Sequence, residues 1–270
     1  MLFNIKGVFG KGGAITEDSF TFTGDYLFAR DEDGNWELAL LESGTLDWLK
    51  TPGFVDMCLV GAGQNGGTGS VTGNYQGAYT YSGKGGDGGR ILNISGAELV
   101  GTCAVVVGTN EGETTITNGA NTWTSANGPA PKEGGRGAEM PQQVIRTGTL
   151  NQAGKDGSWA YGTVADETLI PAVSGKLLAP SGGGGHANNG IEYAGAPSYW
   201  DGVYTDQKGG KNAAGQTGAG AGATRDHRNG FDADGIGAGG GGGYADGITS
   251  AVGTGGAGSD GILLIRNRRN

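Results

Sequence analysis

Glycine in this chain is clustered, with runs such as Gly182 to Gly185 and Gly239 to Gly243 lying between segments that read as ordinary strands. Glycine loses more backbone freedom on ordering than any other residue and brings no side chain to bury. Its presence at 61 of 270 positions would normally point to a disordered or collagen-like chain. The apolar runs argue against both. Phe54-Val55-Asp56-Met57-Cys58-Leu59-Val60 and Gly261-Ile262-Leu263-Leu264-Ile265 have the make-up of buried strands. The glycines therefore belong to a folded body, and close backbone approach must replace some of the packing that side chains usually supply.

Within the glycine-rich stretches a spacing of three recurs: Gly83, Gly86 and Gly89; Gly237, Gly240 and Gly243; Gly255, Gly258 and Gly261. Three residues per turn is the repeat of the extended left-handed helix, which makes no hydrogen bonds of its own and needs neighbours for every N–H and C=O. Side-by-side packing of such segments requires glycine at each inward third position, since a Cβ there would hold the backbones apart. Collagen follows the same steric rule but with an unbroken register rich in proline, and this chain has 7 prolines and a broken register. Flexible linkers are usually glycine-serine and lie between domains, whereas these stretches are low in serine and interleaved with strands. A backbone lattice is the expectation.

The remaining sequence predicts an all-β fold with almost no α-helix. Ser19-Phe20-Thr21-Phe22-Thr23 and Trp36-Glu37-Leu38-Ala39-Leu40 alternate, and Asp33-Gly34 between them is a hairpin signal because both residues tolerate positive φ. Arg90 to Ile94 and Cys103 to Val107 return to strand character after the first glycine stretch, and residues 128 to 180 are mixed and polar. The chain divides at about residue 52, with 1–52 a β-rich N-terminal segment and 53–270 the glycine-rich body.

Composition and motif spacing narrow the function. A net charge of −9 argues against nucleic acid as a partner, since phosphate recognition needs a basic surface. The basic cluster Arg266, Arg268 and Arg269 reads as a solubilising tail. No apolar run reaches membrane-spanning length, and residues 1 to 6 lack the features of a secretion signal, so a soluble protein not exported by that route is expected. Cys58 and Cys103 lie in apolar runs and read as small hydrophobes; with only His186 and His227 beside them, neither a zinc site nor any other metal or cofactor is expected.

Gly61-Ala62-Gly63-Gln64-Asn65-Gly66 has the spacing of a dinucleotide-binding turn, but Gly67-Thr68-Gly69-Ser70 beyond it cannot propagate the helix that the pyrophosphate requires. Gly255 to Leu263 matches a single calcium-binding nonapeptide, which functions only in tandem. Asp31-Glu32-Asp33-Gly34 and Asp232-Ala233-Asp234-Gly235 are too short for an EF-hand calcium loop and read as turns, with a weak surface calcium site as the alternative. His227, in Thr224-Arg225-Asp226-His227-Arg228-Asn229, reads as part of an exposed charged loop and not as a catalytic base. The expectation is a protein without enzymatic activity.

Aromatic residues are spread through the segments that read as loops. Tyr75, Tyr79 and Tyr81 interrupt the first glycine stretch; Trp123, Trp159 and Tyr161 have polar surroundings; Tyr199, Trp200 and Tyr204 belong to the densest set, with Tyr193 nearby. Tyrosine and tryptophan on rigid loops supply large contact areas at low entropic cost, so these residues are the candidates for receptor contact.

The segments Phe22-Thr23-Gly24-Asp25-Tyr26, Asp33-Gly34-Asn35-Trp36, Ser43-Gly44-Thr45-Leu46 and Val60-Gly61-Ala62-Gly63 together resemble the glycine-rich tail proteins of phages and prophages, particularly those of Gram-positive gut bacteria. The closing Gly239 to Gly243 run and the stretch Gly255 to Asn267 extend that resemblance over about residues 20 to 267. It implies a β-sandwich-like set of strands combined with a bundle of polyglycine II helices, in a tail-fibre tip adhesin located in the virion tail and made in the bacterial host cytoplasm. The implied partners are a bacterial surface receptor, glycan or protein, and other phage tail proteins. The family brings no catalytic residues. A structural tail or baseplate component is the alternative, and a surface-glycan depolymerase a further one. No heptad pattern appears, so any homo-oligomer would have to use sheet or lattice surfaces.

Overall fold

Strands form where β-branched and aromatic residues run between turn residues, and a computed structural model shows where each of them pairs. It describes residues 15–72, 79–137, 139–141, 152–162, 168–185, 187–188, 218–223, 227–247 and 249–267. The strands are β1 (Phe20–Phe22), β2 (Tyr26–Arg30), β3 (Trp36–Leu40), β4 (Gly44–Trp48), β5 (Phe54–Val60), β6 (Ser70–Thr72), β7 (Tyr79–Tyr81), β8 (Ile91–Glu98), β9 (Thr102–Val106), β10 (Thr115–Asn118), β11 (Asn121–Thr124), β12 (Glu139–Pro141), β13 (Ala187–Asn188), β14 (Ala245–Asp246) and β15 (Ile262–Asn267). Among the described residues the only helical pieces are short 3-10 turns, and the fold is all-β.

Two antiparallel five-stranded sheets supply most of the buried apolar residues among those described, one ordered β1-β4-β9-β10-β11 and the other β2-β3-β15-β5-β8. The β2–β3 hairpin closes at Asp31–Asn35, where Gly34 has φ +85° and Asp31 accepts from the Asn35 backbone N–H at 2.8 Å. Asp33-Gly34 thus turns the chain as its residue types require. Strands from the first 48 residues and strands from beyond residue 54 are neighbours in both sheets, with β4 beside β9 and β3 beside β15.

One hydrophobic cluster draws on both sheets. Phe20, Leu46, Trp48, Cys103, Val105 and Ile116 come from the first, and Trp36, Leu38, Leu40, Val55, Met57, Leu59, Leu263 and Ile265 from the second. Phe20 and Trp36 each lie against Trp48, with ring centroids 5.7 and 5.8 Å away. The opposite face of the second sheet is also covered. Ala39, Cys58, Val60, Ile262 and Leu264 pack there against Ala160, Ile170, Val173, Leu178 and Ala179. All five residues of β3 are consequently buried, although its sequence alternates.

The cover over that face explains two charged residues at the expected polar positions. Glu37 is 1% and Arg266 6% exposed, and they are register partners on β3 and β15. The Leu169 N–H donates to Glu37 Oε2 at 2.6 Å, Arg266 Nη1 lies 4.0 Å from Glu37 Oε1, and the Arg266 guanidinium stacks 3.9 Å from the centre of the Tyr161 ring. A carboxylate and a guanidinium brought under cover together avoid the cost of a single buried charge. Arg266 is therefore an internal member of β15 and not part of a solubilising tail; Arg268 and Arg269 lie outside the described residues.

Beyond Val60, Arg90 and Ile262 the side-chain core gives way to a body of packed glycine segments. The segment 237–244 sits at the centre of this body, and its backbone hydrogen bonds sort by threes. N–H groups of Gly240 and Gly243 donate to Gln64 and Gly67, those of Gly239 and Gly242 to Pro180 and Gly183, and those of Gly241 and Tyr244 to Phe231 and Arg228. Its carbonyls accept in three further directions: Gly237, Gly240 and Gly243 from Gly89, Gly86 and Gly83; Gly239 and Gly242 from Gly220 and Ala223; Ala238, Gly241 and Tyr244 from Ser259, Gly256 and Gly253. A β-strand would send these groups to two neighbours, whereas this segment has six. Partners run both parallel and antiparallel, and the hydrogen bonds among these segments are 2.7 to 3.0 Å long.

Glycine is required here for lack of space. A Cβ on Gly86 would meet the Gln64 carbonyl oxygen, and one on Gly240 the Gly256 carbonyl oxygen, far inside the 3.0 Å that real Cβ atoms respect. Both obstacles are backbone and cannot rotate away. Gly86→Ala should lower stability by about 3 kcal/mol or abolish folding. Gly67→Ala, where the nearest heavy atom is 3.3 Å from the new carbon, should cost less than about 1 kcal/mol. Urea unfolding of the two variants beside the parent protein measures the difference, and equal midpoints would refute a backbone-packed interior.

Candidate functional site

The glycine segments lie side by side, joined by backbone hydrogen bonds. β5 runs directly into residues 61–69 and then β6; β7 runs into residues 82–90 and then β8; residues 237–244 lead into β14; residues 253–261 lead into β15. The large sheets lie at one end of these segments and two small sheets at the other. The first of these is antiparallel, in the order β12-β7-β6, with Tyr81 opposite Glu139 and Ser70 and Tyr79 opposite Pro141 and Thr72. The second pairs β13 and β14 in parallel through Ala187–Ala245 and Asn188–Asp246.

This end is built from a few closely fixed residues. Tyr244, 1% exposed, closes the central segment as a buried ring. Ser82 donates through Oγ to the Gly185 carbonyl at 2.6 Å, tying the start of one glycine segment to the end of another. Asp246 is buried; its N–H donates to Ala251 O at 2.8 Å, and its Oδ1 accepts from Thr249 N at 3.3 Å, shaping the turn that comes after β14. Connections in the chain leave from here: residues 73–78 join β6 to β7, and the chain after β12 and after β13 continues from this end.

The candidate receptor-contact aromatics fall in several places. Tyr79 and Tyr81 are strand residues of β7 at the small-sheet end, with Tyr81 half-buried. Trp123 is in β11, opposite Ile116, and packs partly buried against the large hydrophobic cluster. These three are paired strand residues, not loop residues, because β7 and β11 find partners distant or adjacent in sequence that short polar runs do not announce. Trp159 is half-buried beside the Ser158–Leu178 bridge. Tyr161, with φ +52°, packs against the cover of the second sheet and over Arg266. Tyr75, Tyr199, Trp200 and Tyr204 lie outside the described residues.

Tyr79 and Tyr81 are thus together, Trp159 and Tyr161 are together elsewhere, and Trp123 stands apart. Tyr244 is not among those candidates, although its place directly after five glycines marks it as the first bulky residue at the end of the run.

Comparison with family models, with curated proteins and with solved structures finds no match.

The motifs that imitate chemistry have structural roles. At Gly61 to Gly66 no helix starts; Gly61 N–H donates to Arg90 O, Asn65 N–H donates to Glu111 Oε1 at 3.1 Å, and Asn65 Oδ1 accepts from Gly258 N–H at 2.9 Å. His227 is exposed, and its Nδ1 faces the Asn229 carbonyl at 2.8 Å, an acceptor that fixes the hydrogen on Nδ1. Among the described residues, no group of three or more His, Cys, Asp or Glu side chains could hold a metal ion.

Neither cysteine is a ready nucleophile. Burial pushes the Cys58 thiol up to about 12 and the Cys103 thiol up to about 11, from an ordinary value of 9.0. Since the thiolate is the reactive form, iodoacetamide at pH 8 should leave both unlabelled in the folded protein and label both after denaturation. Between about pH 9 and 11 the unfolded chain sheds thiol protons that the folded chain keeps, so stability falls as pH rises through that window. Rapid labelling of the native protein, read by intact mass, would contradict the burial of both residues.

Proposed function

We propose that this protein is a receptor-binding adhesin of a phage or prophage tail, carried in the virion, that recognises a bacterial surface structure through the end of a rigid glycine body. In this reading the glycine segments are polyglycine II helices bundled beside a sandwich-like pair of sheets. Residues 1–52 contribute to tail attachment, and the body from residue 53 onward presents the receptor-contacting surface. The single observation that carries the reading is the placement of the glycine segments: they connect the large sheets to a small-sheet end where Tyr79 and Tyr81 sit and from which several connections depart.

The physical logic favours recognition over catalysis. A scaffold held by backbone hydrogen bonds takes no side-chain information from the connections at its end, so these can change without refolding the body. Binding through aromatic residues needs no bond chemistry and no cofactor. The bacterial receptor and other tail proteins are the partners, and the acidic net charge disfavours nucleic acid.

Fluorescently labelled protein is expected to bind a subset of Gram-positive gut strains saturably in flow cytometry. Replacing Tyr199, Trp200 and Tyr204 together by alanine should weaken that binding by about tenfold or more while shifting the thermal midpoint by no more than roughly 2 °C. A folded sample that binds no strain would replace the adhesin reading with that of a structural tail component. A large fall in the midpoint of the triple variant would assign the three residues to a core.

A further inference from the structure

Residues 227–233 run along the glycine body and are fixed to it at almost every position. The Arg228 and Phe231 carbonyls accept from Tyr244 and Gly241, Gly230 donates to Thr254 O, Phe231 to Ala221 O, and Ala233 to Ala257 O. Asn229 and Asp232 each turn one side-chain oxygen onto the body as well, accepting from Thr254 N–H at 3.1 Å and Ala257 N–H at 2.7 Å. Few positions in the segment are left to move.

This fixed segment holds two aromatic rings that are partly exposed to solvent. Phe231 is 42% exposed, and the exposed His227 ring lies over it with centroids 4.2 Å apart and planes 14° from parallel. The imidazole is locked in turn by its Nδ1 hydrogen bond to Asn229 O. Arg228 O bonds to Tyr244 N–H, so the stack begins level with Tyr244, at the small-sheet end of the body. The part of the Phe231 side chain left in water forgoes the free energy of its burial.

The chemistry of the stack selects one class of ligand. An aromatic face carries partial negative charge and accepts the weakly positive C–H groups that line one face of a pyranose ring, while the sugar hydroxyls point outward and need polar partners. Arg228, Asn229 and Asp232, exposed on the same segment, add a guanidinium, an amide and a carboxylate close to the rings in sequence. A peptide side chain would need a pocket to surround it, whereas a sugar ring needs a flat face and a polar rim. We infer that the His227–Phe231 stack is a saccharide platform that takes a pyranose ring of a bacterial surface glycan, with the exposed polar residues of the same segment, Arg228 first among them, available to the sugar hydroxyls. That the glycan is bacterial rests on the adhesin reading; the platform itself rests on the stack.

The test is an array of purified Gram-positive wall and capsular polysaccharides probed with the full chain and with Phe231→Ala, Phe231→Trp and His227→Ala. The parent protein should bind at least one polysaccharide. Phe231→Ala should bind about tenfold more weakly or worse, His227→Ala several-fold more weakly, and Phe231→Trp within about threefold of the parent. Should Phe231→Ala fail to fold, Phe231→Leu keeps apolar volume without a flat face and should show the same loss. A parent protein that binds no polysaccharide, or a folded Phe231→Ala that binds as the parent does, overturns the platform. On cells, equal adhesion by the parent and Phe231→Ala overturns the platform and leaves the adhesin reading standing. Adhesion to no strain, with Phe231-dependent polysaccharide binding on the array, overturns the adhesin reading and leaves the platform.

Discussion

Every backbone N–H and C=O that leaves water must find a partner, and in the segment 237–244 this requirement is met with almost no help from side chains. Its groups reach six neighbouring segments, so the position of each neighbour is set by hydrogen-bond geometry. Three of those neighbours are continuous in the chain with β5, β8 and β15, which ties the orientation of the second sheet to the glycine body. The small sheets at the far end are tied to it in the same way, through Ser82, Gly185 and Tyr244.

The molecule therefore has two kinds of interior with different rules for change. In the cluster around Leu38, Leu46, Leu59 and Leu263 volume decides, and a swap of one aliphatic side chain for another of similar size is tolerated. At inward positions of the glycine body such as Gly86 and Gly240 the obstacle is a carbonyl oxygen of the next segment, so alanine is already too large there. The surface of that body obeys neither rule. His227, Arg228, Asn229, Phe231 and Asp232 are exposed, on a segment held by main-chain bonds and by the side-chain oxygens of Asn229 and Asp232. Such a surface can carry side chains of varied chemistry without disturbing the glycine packing beneath it.

Much of the architecture is legible in local sequence. Asp33-Gly34 marks a hairpin, Phe54 to Val60 and Ile262 to Ile265 mark central strands, and the spacing of Gly83, Gly86 and Gly89 matches the spacing of the bonds they donate. Three things are not legible, for physical reasons. The cover of the second sheet is made by Ala160, Ile170, Val173, Leu178 and Ala179, whose spacing has no regular period. Arg266 carries the charge of a tail residue and the register of a strand residue, and its burial depends on Glu37, which lies far away in sequence. The candidate site is only partly readable: aromatic content points to Tyr79 and Tyr81, but not to the pairing of β7 with β12 and β6. His227 and Phe231, four residues apart, meet because the intervening backbone is fixed by segments remote in sequence.

The order of the chain carries a consequence for how the protein is made. β15 lies between β3 and β5, and residues 237–244 lie between segments drawn from six other parts of the sequence. A link such as Gly258 to Asn65 spans 193 residues. Neither the second sheet nor the glycine body can close while the ribosome has yet to deliver residue 267, so the growing chain holds its earlier strands with open edges until the last of these segments emerges. Folding of such a topology is slow and close to all-or-none, and the exposed edges of β3 and β5 in the unfinished chain are where a chaperone would be needed.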